Sequence, residues 1–378
     1  MAKPRVVTIV GTRPEIIRLS RLIVKLDAVS DHTLVHTGQN SDPRLNSIFF
    51  EDLGLRQPDR YLEVNTDSMG SVMGETLQKS EELLRELQPD AVMILGDTNS
   101  AIAAIVSERL HIPVYHMEAG NRSFDANVPE ELNRKMVDHV STFNLPYNKY
   151  SHQNLLREGI HPRFMQITGS PMREILEHNK AKIQASTILQ DLSLTRDNYF
   201  LVSAHRQENV DNPEKAFGIF SSLEKLGAES GLRVIVSTHP RTKARLSGLL
   251  GEFKTLEFLE PFGFTDYISL QESARCVFSD SGTISEESAI LSFRAVSIRD
   301  SIERPEALDS GHMILAGTTE GSIKAAYELA LSQLPVSKAV ALPDGYETSN
   351  FSEKVTSFLF STYHLARKWK GINRNWLS

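Results

Sequence analysis

Acidic side chains follow two apolar runs in the first half of the chain, and an acidic pair stands farther along. Asp97 comes after an apolar run and a glycine, Glu118 comes directly after another such run, and Glu130 opens an acidic pair farther along. Asp97 could cap a helix and Glu130 could favour a helix dipole, whereas Glu118 has no capping role unless it begins a helix. Carboxylates brought to one crevice suit general acid/base chemistry, because like charges raise the pKa of at least one of them.

The second half carries cations and hydrogen-bond donors in the corresponding positions. His205 and His239 each follow an apolar run, and each has an arginine close by. A lone histidine is more often a packed or capping residue, but two in this setting are harder to dismiss. The turn that contains Ser281 and Gly282 precedes a helical segment with Glu287. Backbone N–H groups of such a turn can hold a phosphate, and Glu287 could reach a ribose.

Two arginines stand beside prolines that suit the first turn of a helix. Arg13 precedes Pro14 after the first apolar run, and Arg304 precedes Pro305. Proline is favoured at the first helical position, and a helix N-terminus favours anions. A surface arginine in an ordinary turn, or a salt-bridge cluster around Arg304, would give the same pattern. An acid-lined first half and a diphosphate-binding second half together fit a nucleotide sugar.

Composition excludes several classes of protein. The 378 residues are 40% hydrophobic and 24% charged, which is typical of globular proteins. The formal net charge of −7 argues against a nucleic-acid partner. A single cysteine, Cys276, excludes a disulfide framework and a cysteine-rich zinc site. Neither a membrane-length apolar run nor a signal-peptide pattern is present, so we expect a cytoplasmic protein with no membrane partner.

Short apolar runs alternate with longer amphipathic ones, which is typical of parallel α/β sheets. The predicted strands are residues 6–10, 32–37, 91–95, 114–117, 164–168, 199–203, 233–237, 255–259, 276–279 and 295–298, and the first predicted helices are 14–27, 68–87 and 98–110. The alternation restarts near Gly169. The pattern predicts two doubly wound Rossmann-like domains, 1–168 and 169–363, with a tail, 364–378, that joins the first. Such sheets bind ligands beyond the carboxyl ends of their strands.

Eight runs in these turns resemble one known family, the non-hydrolysing UDP-N-acetylglucosamine 2-epimerases. The runs occur in family order over residues 11–306 and are Gly11-Thr12-Arg13-Pro14-Glu15, Gly96-Asp97-Thr98, Glu118-Ala119-Gly120, Pro129-Glu130-Glu131-Leu132-Asn133-Arg134, Ala204-His205-Arg206, Thr238-His239-Pro240, Asp280-Ser281-Gly282 with Glu286-Glu287, and Glu303-Arg304-Pro305-Glu306. The resemblance implies the GT-B architecture, with the active site in the cleft between two Rossmann-like domains. It also implies a homodimer that uses no metal, no NAD and no other cofactor.

The resemblance further implies a mechanism and a role for each residue. The C2 proton is removed and UDP leaves C1, which gives a 2-acetamidoglycal to which UDP adds back with the opposite C2 configuration. The implied assignment makes four residues catalytic and six substrate-binding. The catalytic residues are Asp97, Glu118, Glu130 and His205, and the binding residues are Arg13, His239, Ser281, Gly282, Glu287 and Arg304.

Some positions depart from the commoner family pattern. Arg18 stands where many members have lysine, Asn40-Ser41-Asp42 replaces a His-Arg run, and Thr283 and Ser285 replace other residues. These variants are more similar to the branch that makes UDP-N-acetyl-L-fucosamine for capsule or O-antigen. The substrate expected from them is a UDP-2-acetamido-2,6-dideoxy-L-hexose, with conversion of UDP-N-acetylglucosamine to UDP-N-acetylmannosamine as the alternative. The departures also question allosteric activation by UDP-N-acetylglucosamine.

Other functions stay open on sequence grounds. A GT-B glycosyltransferase would show the same sheets and the same ribose contact, although three carboxylates favour an epimerase. A nucleotide-sugar sensor would bind UDP without exchanging the C2 hydrogen. A hydrolysing epimerase would release free sugar and UDP.

Overall fold

The computed structural model of the chain describes residues 3–38, 50–238, 253–336 and 340–372. They form two compact units, one from the described parts of Met1–Glu177 and Glu347–Ser378 and the other from His178–Tyr346. The division therefore lies later than residue 169, and the return to the first unit begins earlier than residue 364. The return is early because a helix at Phe351–Thr362 packs against the first helix of the chain.

Each unit is built on one six-stranded sheet in which every neighbouring pair of strands is parallel. The strands are β1 Arg5–Val10, β2 Asp31–His36, β3 Arg60–Tyr61, β4 Ala91–Leu95, β5 Val114–Met117, β6 Phe143–Leu145, β7 Tyr199–Ser203, β8 Arg233–Ser237, β9 Leu256–Leu259, β10 Cys276–Ser279, β11 Ala295–Ser297 and β12 Ile314–Leu315. The orders are β3-β2-β1-β4-β5-β6 and β12-β11-β10-β7-β8-β9. Both sheets have the same doubly wound topology, so in both the order in which strands are added reverses beside the first strand.

Helices connect the strands of each sheet. The α-helices are α1 Arg13–Val29, α2 Met69–Leu87, α3 Ala103–Arg109, α4 Glu130–Val140, α5 Lys149–Arg157, α6 Met172–Gln184, α7 Ile188–Asp191, α8 Gln207–Val210, α9 Pro213–Ser230, α10 Phe264–Ser273, α11 Ile284–Leu291, α12 Pro305–Asp309, α13 Glu320–Gln333, α14 Phe351–Thr362 and α15 Ala366–Trp369. Short 3₁₀ turns lie at Asn99–Ile102 and Pro162–Phe164. None of the helices in the described residues is long and apolar enough to cross a membrane.

The apolar runs explain why the long strands were predictable. All five residues of β4 and all five of β7 are buried, as expected for strands covered by helices on both faces. Several apolar cores pack against the sheets in the described residues, among them one that includes Ile9 and Val92, one that includes Phe200 and Phe278, and one that includes Tyr199 and Ile235. The prediction of two doubly wound α/β domains is confirmed.

Two predicted elements differ in the structure. The strand predicted at residues 164–168 was wrong, because only Met165 pairs there, through a single bridge to Asn144, after the 3₁₀ turn that Pro162 begins. The helix predicted at 98–110 is divided into the 3₁₀ turn Asn99–Ile102 and α3. The short strands β3, β6 and β12 were not predicted, since two or three residues do not establish a period.

Candidate active site

Several of the predicted site residues lie beyond the carboxyl ends of paired strands. In the first unit, Arg13 follows β1 and Asp97 follows β4. These two strands pair at the point where the strand order reverses. In the second unit, His205 follows β7 and Ser281 follows β10, the corresponding pair. Ligands of doubly wound sheets bind at such reversals.

Asp97 is held by an arginine and caps no helix. Arg134, on α4, brings Nε to 2.7 Å and Nη2 to 2.6 Å of the Asp97 carboxylate oxygen Oδ2. Asn133 donates to the main-chain oxygen of Asp97 at 2.9 Å. The side chain of Asp97 keeps 24% of its surface exposed. This carboxylate is therefore oriented by a charge-assisted bond and still open to a ligand.

Glu118 has a backbone conformation that few residues other than glycine adopt. Its φ is 64°, directly after β5, and a non-glycine residue in that region costs about 1–3 kcal/mol unless its surroundings hold it. Arg18 Nη1 lies 3.3 Å from Glu118 Oε2, and Asn121 Nδ2 donates to Oε1 at 3.1 Å. The Arg18 guanidinium also lies over the Tyr147 ring, 5.8 Å from its centre. A strained, anchored carboxylate at a strand end is the strongest local sign of function in this unit.

The acidic pair on α4 divides its tasks. Glu130 is the first residue of the helix and is half-buried. Glu131 is buried and accepts hydrogen bonds from the Ser123 backbone N–H and hydroxyl, each at 3.0 Å, while Arg134 Nη1 lies 3.0 Å from it. Glu131 therefore fastens the preceding loop, and Glu130 is the more exposed member of the pair.

Glu15 is a residue whose role the sequence did not reveal. It is buried, accepts from the Gly11 backbone N–H at 3.0 Å and the Thr12 hydroxyl at 2.8 Å, and also accepts from the Ser100 hydroxyl. Burial raises the pKa of Glu15, although these hydrogen bonds oppose the shift. Glu15 thus ties the turn after β1, which carries Arg13, to the turn after β4.

In the second unit, Asp280 organises the turn that carries His205. This fully buried carboxylate accepts from the backbone N–H groups of His205, at 3.0 and 3.2 Å, and of Arg206, at 2.9 Å. Asn209 Nδ2 donates to it at 3.1 Å. The His205 ring keeps 39% of its side-chain surface exposed, with Nδ1 3.5 Å from Asp280. Asp280 was not among the predicted site residues, and it acts by fixing the backbone of one that was.

Two guanidinium groups flank Gly282. A Cβ placed on this glycine would lie 3.5 Å from Arg206 Nη2 and 3.9 Å from Arg304 Nε. Ser281 lies beside it, with its hydroxyl 3.0 Å from that of Thr283, at the start of α11. Cations and helix N-terminal N–H groups together favour an anion.

Two buried carboxyl groups, those of Glu286 and Glu306, interact with Arg304. Arg304 Nη1 lies 3.2 Å from Glu286 Oε1, and both side chains are almost fully buried. The Tyr346 hydroxyl donates to Glu306 at 3.0 Å. Burial raises the pKa of Glu306, and the charge of Arg304 partly opposes this shift.

Two further predicted residues are Glu287 and His239. Glu287 is buried one turn into α11, where Gln271 Nε2 donates to it at 2.7 Å. His239 lies outside the described residues. Within each unit, predicted residues follow neighbouring strands, with acids prevailing in the first unit and cations in the second. Arg18, Arg134 and Asp280 were missed as partners, and the signal for them was a charged residue in an otherwise apolar helix face or strand end.

Comparison with known proteins identifies the family of the chain. A family model described as UDP-N-acetylglucosamine 2-epimerase matches residues 24–360. The UDP-N-acetylglucosamine 2-epimerase of Methanocaldococcus jannaschii is 35% identical over 335 residues, which cover 86% of this chain and 92% of that protein.

Two solved structures share the fold over nearly their whole length. The UDP-N-acetylglucosamine 2-epimerase of Rickettsia bellii has a TM-score of 0.89 and 40% identity, covering 97% of this chain and 98% of that one. The M. jannaschii UDP-GlcNAc 2-epimerase in complex with UDP-GlcNAc and UDP has a TM-score of 0.88 and 33% identity, covering 94% and 99%. With a family model matched over most of its length, the chain belongs to the UDP-N-acetylglucosamine 2-epimerase family and is an isomerase.

Proposed function

We propose that this chain is a non-hydrolysing UDP-N-acetylglucosamine 2-epimerase that interconverts UDP-N-acetylglucosamine and UDP-N-acetylmannosamine. The C2–H bond breaks as a carboxylate takes the proton, the C1–O bond to the diphosphate breaks, and a C1=C2 double bond forms in a 2-acetamidoglycal. UDP then returns to C1 while a proton returns to the other face of C2. No oxidant or water is consumed.

The observation that carries the proposal is the anchored Glu118 beside Asp97. C2 has no neighbouring carbonyl, so its proton is barely acidic, and a positioned base is needed as positive charge develops at C1. Glu118 and Asp97 follow neighbouring strands and are each held by an arginine. We assign them, with Glu130, to the sugar.

The second unit supplies what the leaving diphosphate needs. Arg304, Ser281 and Gly282 lie together at the start of α11, with His205 on the neighbouring turn. Preorganised donors aimed at a developing charge are commonly the largest catalytic contribution. We assign these residues, with Arg13, Glu287 and His239, to UDP, and His205 also to proton donation toward the leaving group.

The L-fucosamine branch stays a second, narrower prediction. Its support is the sequence pattern at Asn40-Ser41-Asp42, Thr283 and Ser285, and the first of these lies outside the described residues. Ser285 is 1% exposed and donates to the Gly282 main-chain oxygen at 3.0 Å, so it shapes a turn. A relative from Pseudomonas aeruginosa, 30% identical over 84% of this chain and 90% of its own length, is a UDP-2,3-diacetamido-2,3-dideoxy-D-glucuronate 2-epimerase. Sugar preference therefore varies among such relatives. A capsule or O-antigen pathway and a homodimer also stay predictions.

Product analysis tests the function. The purified enzyme is incubated with UDP-N-acetylglucosamine and no acceptor, and the mixture is followed by ¹H and ³¹P NMR. We expect the C2 epimer to accumulate as an intact UDP-sugar. Free sugar with stoichiometric UDP would indicate a hydrolysing enzyme, and an unchanged substrate would favour a glycosyltransferase or a sensor. A higher kcat/KM for the 6-deoxy-L substrate, measured in parallel, would favour the narrower branch.

A further inference from the structure

A buried histidine–aspartate pair lies between the two turns that carry Asp97 and Glu118. His116, on β5, and Asp138, on α4, are 1% and 0% exposed. His116 Nδ1 lies 3.0 Å from Asp138 Oδ1, and its Nε2 lies 2.7 Å from the main-chain oxygen of Gly96. Gly96 immediately precedes Asp97, and His116 stands two residues before Glu118.

Each ring nitrogen of His116 lies close to an oxygen atom of an acceptor group. A main-chain carbonyl oxygen only accepts, and an ionised carboxylate only accepts. Asp138 also receives the Gly120 backbone N–H, at 3.1 and 3.2 Å, and Arg122 Nη1 at 2.7 Å. The Gly120 N–H and the Arg122 guanidinium are two donors that favour a carboxylate at Asp138, and a carboxylate beside Nδ1 favours a His116 that carries both ring protons as an imidazolium ion.

The groups around the pair are consistent with this charge. Arg122, the second cation on Asp138, is also bound by Glu158 through two contacts of 2.6 and 2.8 Å. Asn144, on β6, is the neutral polar neighbour of the ring. Burial alone would lower the pKa of His116, but Asp138 and the Gly96 carbonyl outweigh burial and raise it.

The backbone at these turns needs such an anchor. Gly96, Glu118 and Gly120 all have positive φ, at 71°, 64° and 82°. Gly120 is pressed against α5, since a Cβ there would lie 2.3 Å from the Ser151 main-chain oxygen. The turn after β5 therefore cannot relax in that direction, and the His116–Asp138 pair holds both turns, the one after β4 at Gly96 and the one after β5 at Gly120.

We infer that His116 and Asp138 are positioning residues. The ion pair between them connects the turns that follow β4 and β5, and it thereby sets the relative placement of Asp97 and Glu118. The inference rests on the proposed function of those carboxylates. Misplacement of a catalytic group by about 1 Å can cost about 10²-fold in rate, and loss of supporting contacts of this kind costs about 10–100-fold at metal sites.

The test uses H116Q and D138N in the full-length enzyme. We expect kcat to fall about 10- to 100-fold in each, with UDP affinity, measured by calorimetry, unchanged within about twofold. His116 of the wild type should keep both ring protons above pH 6.5, read by ¹⁵N NMR of labelled histidine with H116Q as the assignment. In D138N the pKa of the His116 ring should fall, so the ring regains its second proton only at lower pH. The ratio of D138N to wild-type kcat should therefore rise as the pH is lowered.

The matched control is D27N. His32 Nδ1 and Asp27 form a second histidine–aspartate pair in the same unit, at 2.6 Å, at the amino end of β2 and away from the catalytic turns. We expect D27N to lower thermal stability and to leave kcat unchanged, which separates a general loss of stability from lost positioning.

The outcomes distinguish the inference from the function. Wild-type turnover with near-normal kcat in both H116Q and D138N would overturn the positioning role and leave the proposed function intact. A neutral His116 at pH 6.5 in the wild type would overturn the inference that His116 and Asp138 form an ion pair. A pH-independent ratio of D138N to wild-type kcat would overturn it as well. Absence of wild-type turnover would instead overturn the proposed function, and the catalytic meaning of the pair with it.

Discussion

The two units share one sheet topology but carry side chains of opposite charge at the carboxyl ends of their strands. In the first, Asp138 holds the turn after β5 through the Gly120 N–H and Arg122. In the second, Asp280 holds the turn after β7 through two backbone N–H groups. Both turns are thus fastened by a fully buried aspartate. The groups presented differ, since Glu118 and Asp97 lie in the first unit and His205 and Arg304 in the second.

This difference teaches that the sheet supplies position while the turns supply function. Both units place residues beyond paired strands where the strand order reverses, yet carboxylates prevail there in the first unit and cations in the second. If the account is right, substitutions in the first unit should separate turnover from UDP affinity, and those in the second should not.

The largest expected effect is on turnover in the first unit. E118Q and D97N should each lower kcat about 10²–10⁴-fold, because a positioned acid or base contributes that much. UDP affinity by calorimetry should stay within about twofold. E81Q, which changes an exposed pair with Arg85, is the control and should retain full activity. Near-normal turnover of both variants would remove these carboxylates from the mechanism.

The second unit should lose affinity as well as turnover. H205A and R304A should each weaken UDP binding by about 1.5–3 kcal/mol, or roughly 10- to 100-fold, since charge-assisted bonds are lost. H205A avoids the buried Arg304–Glu286 pair, so it distinguishes lost contact from lost folding. K324A removes a cation from an exposed pair with Glu229 and should bind UDP normally. Unchanged affinity in H205A and R304A would contradict the division between the units.

A smaller effect is expected at the buried aspartate of the second unit. D280N should reduce the free energy of unfolding by about 1–3 kcal/mol, because the backbone donors it serves would be left poorly satisfied. UDP affinity should fall with it, since the turn bearing His205 loosens. Denaturant titration with and without UDP measures both quantities. Lost stability with unchanged UDP affinity would show that Asp280 does not position the binding turn.

The smallest effect concerns acid stability at the amino end of β2 in the first sheet. His32 and Arg56 lower the pKa of Asp27 to about 2 in the folded protein, against burial, which alone would raise it, and the ordinary value is 3.8. A lowered pKa stabilises the fold above pH 3.8, and that stability is lost as the pH falls toward 2. The unfolding free energy of the wild type should therefore decrease more steeply over this range than that of D27N. Parallel curves would contradict this assignment.

Much of the fold was predictable, and the site only in part. Buried strands such as β4 and β7 are continuous apolar runs, so their placement follows from local sequence. Asp97 and Glu118 could be predicted as site residues because the carboxyl ends of parallel strands meet at one edge of the sheet. Glu15, Asp138 and Asp280 were not assigned, since their partners are set by tertiary packing. A sharper signal was available at His116, because a polar residue inside a buried strand must find partners.

The exchange of the C2 hydrogen tests the central claim most directly. Wild-type enzyme and E118Q are incubated with saturating UDP-N-acetylglucosamine in deuterated water, and C2 deuterium is followed by ¹H NMR in both epimers. The account predicts deuterium at C2 in the wild type with the UDP-sugar intact, and exchange at least about 10²-fold slower in E118Q. Epimerisation without solvent deuterium at C2, or exchange in E118Q at the wild-type rate, would contradict proton transfer by the carboxylates of the first unit.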